Sequence, residues 1–196
     1  SGMNYIELSR KSLKRDTKKL YDKIKKNYEY DCVIFIAKGA FFIGEDLANY
    51  RHVPLLEVFA TRKGNNIKKL IRTILKVIPK KIKEFLRNQE AKSSYHKKNS
   101  ERLVSFDKER WNKYVNKHRI LLVDDSIDTG NTINCVLPKI KEFFLNAEIK
   151  VACLNVFKKA KDTCTVDYYL YEDCLLNGPW SNDSKEYSDF LVKYQL

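Results

Sequence analysis

The chain reads as a mainly parallel, Rossmann-like α/β fold with a helical, basic insertion and a small C-terminal hood. Two copies of one pattern and a charge boundary carry that reading. Ile120-Leu121-Leu122-Val123 is a run of four aliphatics, as expected of a strand buried on both faces in a parallel sheet. It passes through a polar loop into an amphipathic segment bearing Ile133, Val136, Leu137, Ile140, Phe143 and Phe144. Residues 32–37 repeat the pattern: a buried strand, then Lys38-Gly39-Ala40, then a helix through Phe42, Ile43, Leu47 and Ala48. Between the two, residues 61–118 hold 18 Lys/Arg against 5 Asp/Glu, an excess equal to the net charge of +13, while the remainder carries 20 of each.

Taken in order, residues 6–26 place Ile6, Leu8, Leu13, Leu20 and Ile24 among lysines and predict an amphipathic opening helix. Tyr28 to Asp31 is a break before the first strand–loop–helix unit. Residues 53–60, interrupted at Pro54, predict the next strand, which leaves through Thr61-Arg62-Lys63-Gly64. Residues 65–91 show helical spacing (Ile67, Leu70, Ile71, Ile74, Leu75, Ile78, Ile82, Phe85, Leu86), with Pro79 ending one helix and starting another. Residues 92–105 are polar and expected to be mobile. Residues 106–116 predict a short helix bearing Trp111. Beyond the second unit come strands at 149–157 and 166–170, then an irregular aromatic tail. A single domain over residues 3–196, with an insertion at 65–115, accounts for this order.

At 196 residues the chain is long enough for a real core. No apolar run approaches the roughly 20 residues that span a bilayer, so no membrane partner is expected. Ser1-Gly2 ahead of Met3 reads as a cloning scar. The five cysteines (Cys32, Cys135, Cys153, Cys164, Cys174) form no CxxC pair, and no histidine stands near to complete a zinc set. Aliphatic neighbours and an odd count fit reduced, buried thiols and a cytoplasmic protein.

The second unit's loop carries the chemistry. Asp124 and Asp125 follow the strand at once, and Asp128-Thr129-Gly130-Asn131-Thr132 enters the helix. Free N–H groups and hydroxyls beside the positive end of a helix dipole suit a phosphate. Adjacent carboxylates would repel a bare phosphate, but they suit a ligand that also offers hydroxyls or a bound Mg²⁺. A sugar phosphate satisfies both halves. The alternative is an ordinary βα loop with an acidic turn.

Residues 120–132, Ile-Leu-Leu-Val-Asp-Asp-Ser-Ile-Asp-Thr-Gly-Asn-Thr, resemble the 5-phosphoribosyl-1-pyrophosphate (PRPP) signature of the type I phosphoribosyltransferases. Asp128 with Thr-Gly following is most similar to the branch acting on 6-oxopurines, the xanthine-guanine and hypoxanthine-guanine enzymes. Ala37-Lys38-Gly39-Ala40-Phe41-Phe42 resembles the pyrophosphate loop of the same family, with Ala40 in place of its second glycine. The resemblance implies a cis Ala37–Lys38 peptide. In the C-terminal third, Phe157-Lys158-Lys159, Val166-Asp167 and Pro179-Trp180 recur in nearly the family's spacing. Lys159 matches the lysine that bonds the purine 6-oxo group. Leu175 falls where the family stacks an aromatic on the base, and Leu176 where a backbone group reads the exocyclic position. Ser181 stands in place of the usual Asp, and Asp183 is a candidate for a second Mg²⁺. Trp180 is read as core. The likeness covers residues 5–60 and 118–183. Within the insertion, Lys92-Ser93-Ser94-Tyr95 is similar to the Ser-Tyr of a closing loop.

The resemblance implies a Mg²⁺-dependent pentosyltransferase working in purine salvage, with PRPP and a nucleobase as partners. The 5-phosphate would lie on residues 128–132, the ribose hydroxyls and Mg²⁺ on Asp124 and Asp125, and the pyrophosphate on Lys38 and Gly39. Asp128 would be the catalytic base, and residues 92–105 the lid. The apolar stripe of the insertion suggests a homodimer. Two rivals are a PRPP-sensing regulator that holds RNA through the basic 61–118 segment, and an enzyme with a non-purine acceptor. A PRPP synthetase, with its paired domains, would need a longer chain.

Overall fold

The structure is a computed structural model, and it describes residues 3–62 and 102–195. The chain divides into two compact units, residues 1–60 with 104–196 and residues 61–103. Nearly all of the second lies outside the described residues, as do the predicted helices at 65–91, the Ser-Tyr match and most of the 92–105 segment. The described elements belong to the first unit, apart from the ends of two strands at its margin.

In chain order the elements are β1 (Asn4–Glu7), α1 (Arg10–Ile24), β2 (Cys32–Ile36), α2 (Phe41–Arg51), β3 (Leu55–Arg62), β4 (Arg102–Ser105) and α3 (Lys108–Asn112). Then come β5 (Arg119–Ile127), α4 (Asn131–Phe143), β6 (Glu148–Val156), a 3₁₀ turn (Lys158–Asp162), β7 (Tyr171–Glu172), β8 (Cys174–Asn177) and α5 (Tyr187–Gln195). The main sheet runs β4-β3-β2-β5-β6-β7, and β2 pairs in parallel with both β3 and β5. The β5–β6 and β6–β7 pairs are parallel too, so the sheet is mostly parallel as expected.

Alternation along the strands divides the core into two layers. Val33, Phe35, Leu121 and Val123 pack with Leu13, Leu20, Leu47 and Phe190 on the α1, α2 and α5 side. Ile34, Ile36, Ile120 and Leu122 pack with Ile133, Val136, Ile140, Phe144 and Trp111 on the α4 side. Both faces are covered, which is why the strands read as unbroken apolar runs. Trp111 is fixed at the β3 edge: its indole N–H donates to the Glu57 carbonyl at 3.2 Å and its ring stacks on Phe106. All five cysteines are free thiols, and burial pushes that of Cys32 up to about 12. Cys135 and Cys164 are only half-buried, short of the burial expected for all five.

Several expectations need correcting. The opening helix does not begin at Ile6, because residues 4–7 form β1, paired in parallel with β8. Ser9 then starts α1 through a capping box with Ser12, whose backbone N–H donates to the Ser9 hydroxyl at 3.0 Å. The predicted strand at 166–170 is reduced to one bridge, Ala152 with Tyr168, before β7. The aromatic tail is not irregular: Tyr187, Phe190, Leu191 and Tyr194 have helical spacing, and α5 buries Phe190 and half-buries the other three against the core. Pro138 lies inside α4 without ending it. Trp180 is half-buried against the α1–α2 layer. The hood is a separate two-stranded sheet, β1 with β8.

Replacing Ser9 with Ala removes the α1 cap, and urea unfolding should show a loss of about 1 kcal/mol.

Candidate functional site

The strand order places a topological switch between β2 and β5. From β2 the chain crosses through α2 to β3 on one side, while β5 crosses through α4 to β6 on the other. Open α/β sheets bind ligands in the crevice where such crossovers part, outside the carboxyl ends of the strands. Both loops singled out in the sequence stand there, each running into a helix N-terminus.

After β2, the Ala37–Lys38 peptide is cis, as the resemblance implied. Ala40 is the N-cap of α2 and makes no side-chain cap bond. After β5, Gly130 takes φ +85° as the N-cap of α4, again without a side-chain cap. Only glycine adopts that conformation without strain. Space also demands it: a Cβ there would meet Thr163 Oγ1 at 2.5 Å and Cys164 Sγ at 2.9 Å. Among the described residues, the backbone N–H groups of Asp128, Thr129 and Gly130 find no protein acceptor, while that of Asn131 donates to Thr129 Oγ1 at 3.2 Å. Thr132 lies in the first turn of α4. The α4 end therefore faces the crevice with donors to spare, while at α2 the N–H groups of Ala40 and Phe41 donate to the Ile36 and Lys38 carbonyls at 3.4 and 3.1 Å.

The acidic pair is not in the loop, where the sequence reading put it. β5 runs on to Ile127, and its register with β6 continues through Ser126 opposite Asn155 and Ile127 opposite Val156. Asp124 is buried and its Oδ1 accepts the Asp125 backbone N–H at 2.9 Å. Burial, and then the charge of Asp125, hold the Asp124 carboxyl well above the usual carboxylate range. Asp125 meets the first loop: a Cβ on Gly39 would lie 2.7 Å from its Oδ2. The close approach of the two loops thus depends on Gly39 lacking a side chain.

Asp128 is exposed and forms an ion pair with Lys159 at 2.9 Å. Lys159 belongs to the 3₁₀ turn after β6. Lys38 is exposed and donates to the Tyr187 hydroxyl at 2.7 Å. Leu175 and Leu176 lie on β8, in register with Tyr5 and Ile6. Leu176 packs partly against the core, whereas Leu175 is 49% exposed. Asp183 is exposed beyond β8, outside the crevice's hydrogen bonds and ion pairs described above. Among the described residues no cluster of three or more His, Cys, Asp or Glu could cage a metal ion. Asp124 and Asp125 still suit Mg²⁺, which keeps several waters and takes one or two carboxylates beside phosphate oxygens.

Three contributors escaped the sequence reading. Asn155, fully buried, donates to Ser126 Oγ at 2.9 Å and accepts the Cys174 backbone N–H at 2.9 Å, tying β5, β6 and β8 together. A polar residue within an apolar strand was the available signal. Thr163 donates its hydroxyl to the Thr129 carbonyl from behind the loop. Tyr187 holds Lys38, and only the helical spacing of its neighbours hinted at it.

The sequence profile of the Phosphoribosyl transferase domain matches residues 6–182. The chain belongs to this family. It is a type I phosphoribosyltransferase, a PRPP-using pentosyltransferase. Among solved structures, it is similar to the purine phosphoribosyltransferase of Pyrococcus horikoshii at 20% identity and TM-score 0.60, over 93% of this chain and 97% of that one. The Helicobacter pylori xanthine-guanine-hypoxanthine phosphoribosyltransferase matches at 12% identity and TM-score 0.62, over 95% and 99%. A Bacillus anthracis hypoxanthine-guanine phosphoribosyltransferase matches at 17% and 0.54, over 88% and 85%. Likeness at this identity is a likeness of fold. Among curated proteins no sequence matches the chain significantly. Among the described residues no helix is long and apolar enough to cross a membrane.

The buried acidic pair carries a stability consequence. A carboxyl whose folded pKa is raised destabilises the fold above its unfolded value, near 4, and the penalty disappears as pH falls to that value. Asp124→Asn should therefore raise the melting temperature of the ligand-free protein at neutral pH. The gap from wild type should narrow as pH approaches 4 in thermal scans.

Proposed function

We propose that this phosphoribosyltransferase moves ribose 5-phosphate from PRPP to a 6-oxopurine (hypoxanthine, guanine or xanthine), releasing pyrophosphate, as an enzyme of purine salvage in the cytoplasm. The observation that carries the choice of acceptor is the 2.9 Å pair of Asp128 and Lys159. A 6-oxopurine presents an acceptor, O6, beside N7 on one edge. An ammonium beside a carboxylate matches that edge when N7 carries a proton, and the 6-amino group of adenine would set a donor against the ammonium. The pair is exposed, so parting it costs at most about 1 kcal/mol.

In this reading the 5-phosphate rests on the N–H groups and hydroxyls of residues 128–132, at the α4 N-terminus. Asp124 and Asp125 hold the ribose hydroxyls and the Mg²⁺ that arrives with PRPP. Lys38 and Gly39 receive the pyrophosphate at the α2 N-terminus. Bound Mg²⁺ would spread the charge of the departing pyrophosphate. As the C1–O bond breaks the sugar gains positive charge, and the carboxylates at the end of β5 stabilise it. N9 of the base bonds to C1 while Asp128 takes the N7 proton. Leu176 offers its backbone to the exocyclic position and Leu175 its side chain to the base face. Asp183 is assigned to a second Mg²⁺.

A second reading keeps the PRPP chemistry with a non-purine acceptor. It is favoured by Leu175, an aliphatic side chain 49% exposed where a stacking ring would serve a purine.

Incubation with PRPP, Mg²⁺ and a panel of nucleobases, with pyrophosphate release as the readout, should give turnover with one or more 6-oxopurines and none with adenine. Turnover only with another base would remove the purine reading. Chelation by EDTA should stop the reaction. Asp128→Asn should retain PRPP affinity by calorimetry while kcat falls about 10²- to 10⁴-fold. A near-normal rate in that variant rules out the general base.

A further inference from the structure

The C-terminal helix reaches the crevice, although it lies past residue 182, where the family match ends. Its first residue, Tyr187, accepts a hydrogen bond from Lys38 Nζ at 2.7 Å, and the same ammonium lies 5.0 Å from the Tyr187 ring centroid. This is the hydrogen-bond partner of the Lys38 side chain among the described residues. A lysine side chain is long and flexible and carries three donors. The contact fixes its position while using one of the three.

Tyr187 is itself held in place. Its ring stacks on Phe190 at 6.2 Å and 23°. Phe190 is fully buried against Phe41 and Phe42, with centroid separations of 6.4 and 5.2 Å. Those two residues open α2, directly after Lys38-Gly39-Ala40. Glu186 accepts the Arg10 backbone N–H through both carboxylate oxygens, at 3.0 and 3.1 Å, and so joins the start of α5 to α1. Helix α5 is therefore anchored to the same turn that carries the loop, and its hydroxyl keeps a set distance from it.

We propose that Tyr187 is a positioning residue for pyrophosphate: its hydroxyl holds the Lys38 ammonium beside the loop that opens α2 and leaves two of its donors for the diphosphate. This rests on the assignment of Lys38 and Gly39 to pyrophosphate. Restricting a flexible cation before the anion arrives lowers the ordering cost of binding. The effect belongs to the diphosphate end of PRPP and leaves the 5-phosphate end alone.

Calorimetry on wild type, Tyr187→Phe, Lys38→Ala and the double variant tests this, with inorganic pyrophosphate, PRPP and ribose 5-phosphate as probes in the presence of Mg²⁺. Tyr187→Phe keeps the ring and its packing, so thermal unfolding should be unchanged. Its affinity for pyrophosphate and PRPP should fall about 2- to 12-fold, the worth of one hydrogen bond. Ribose 5-phosphate should bind as before, and KM for PRPP should rise with kcat unchanged. The double variant should bind pyrophosphate no more weakly than Lys38→Ala, because the tyrosine acts through the lysine. Wild-type or tighter pyrophosphate binding by Tyr187→Phe overturns the proposal, as does simple addition of the two losses. Unchanged affinity in Lys38→Ala removes the pyrophosphate assignment, and the proposal with it.

Discussion

Parallel pairing of β2 with β5 joins two strands that were 87 residues apart at Cys32 and Arg119, and every feature of the crevice follows from it. Both strands are apolar on both faces, so each must lie in the middle of the sheet with helices above and below. Once they are neighbours, their loops leave from the same edge, and the helices after them start side by side. Asp125 then rests against Gly39, which brings the two loops together. No residue of either loop determines this alone.

The cost of the arrangement falls on β5. Hydrogen bonding with β6 carries that strand past Val123, so Asp124 is drawn into the interior as a consequence of strand continuity. A buried carboxyl next to a second one is unfavourable in a protein without its ligand. Hydroxyls and a cation at the same place would relieve it. That local cost of folding is concentrated at one residue.

The central strands were legible because their surroundings are uniform. Ile120 to Val123 and Cys32 to Ile36 are buried on both faces, so composition alone reveals them. The two loops were legible as loops because Lys38-Gly39 and Thr129-Gly130 interrupt the apolar pattern between a strand and a helix. Strand order was not, since pairing between distant segments leaves no mark in either one. The β1–β8 sheet was hidden for the same reason: Asn4 to Glu7 is too short to show a period and is fixed by a partner 170 residues away. Helix α5 had the spacing of Tyr187, Phe190, Leu191 and Tyr194, but mixed polarity masked it. The boundary of β5 was misplaced because an Asp pair reads as loop wherever burial is judged from residue type.

The 3₁₀ turn from Lys158 to Asp162 touches the 128–130 loop on two sides. Lys159 pairs with Asp128 at one end, while just beyond the other Thr163 bonds the Thr129 carbonyl and Cys164 fills the space behind Gly130. Thr163 and Cys164, packed behind the loop, restrict its backbone even where the exposed Asp128–Lys159 pair parts. Its amides keep their aim in the empty protein, so a phosphate arriving there would find a mould rather than have to shape one.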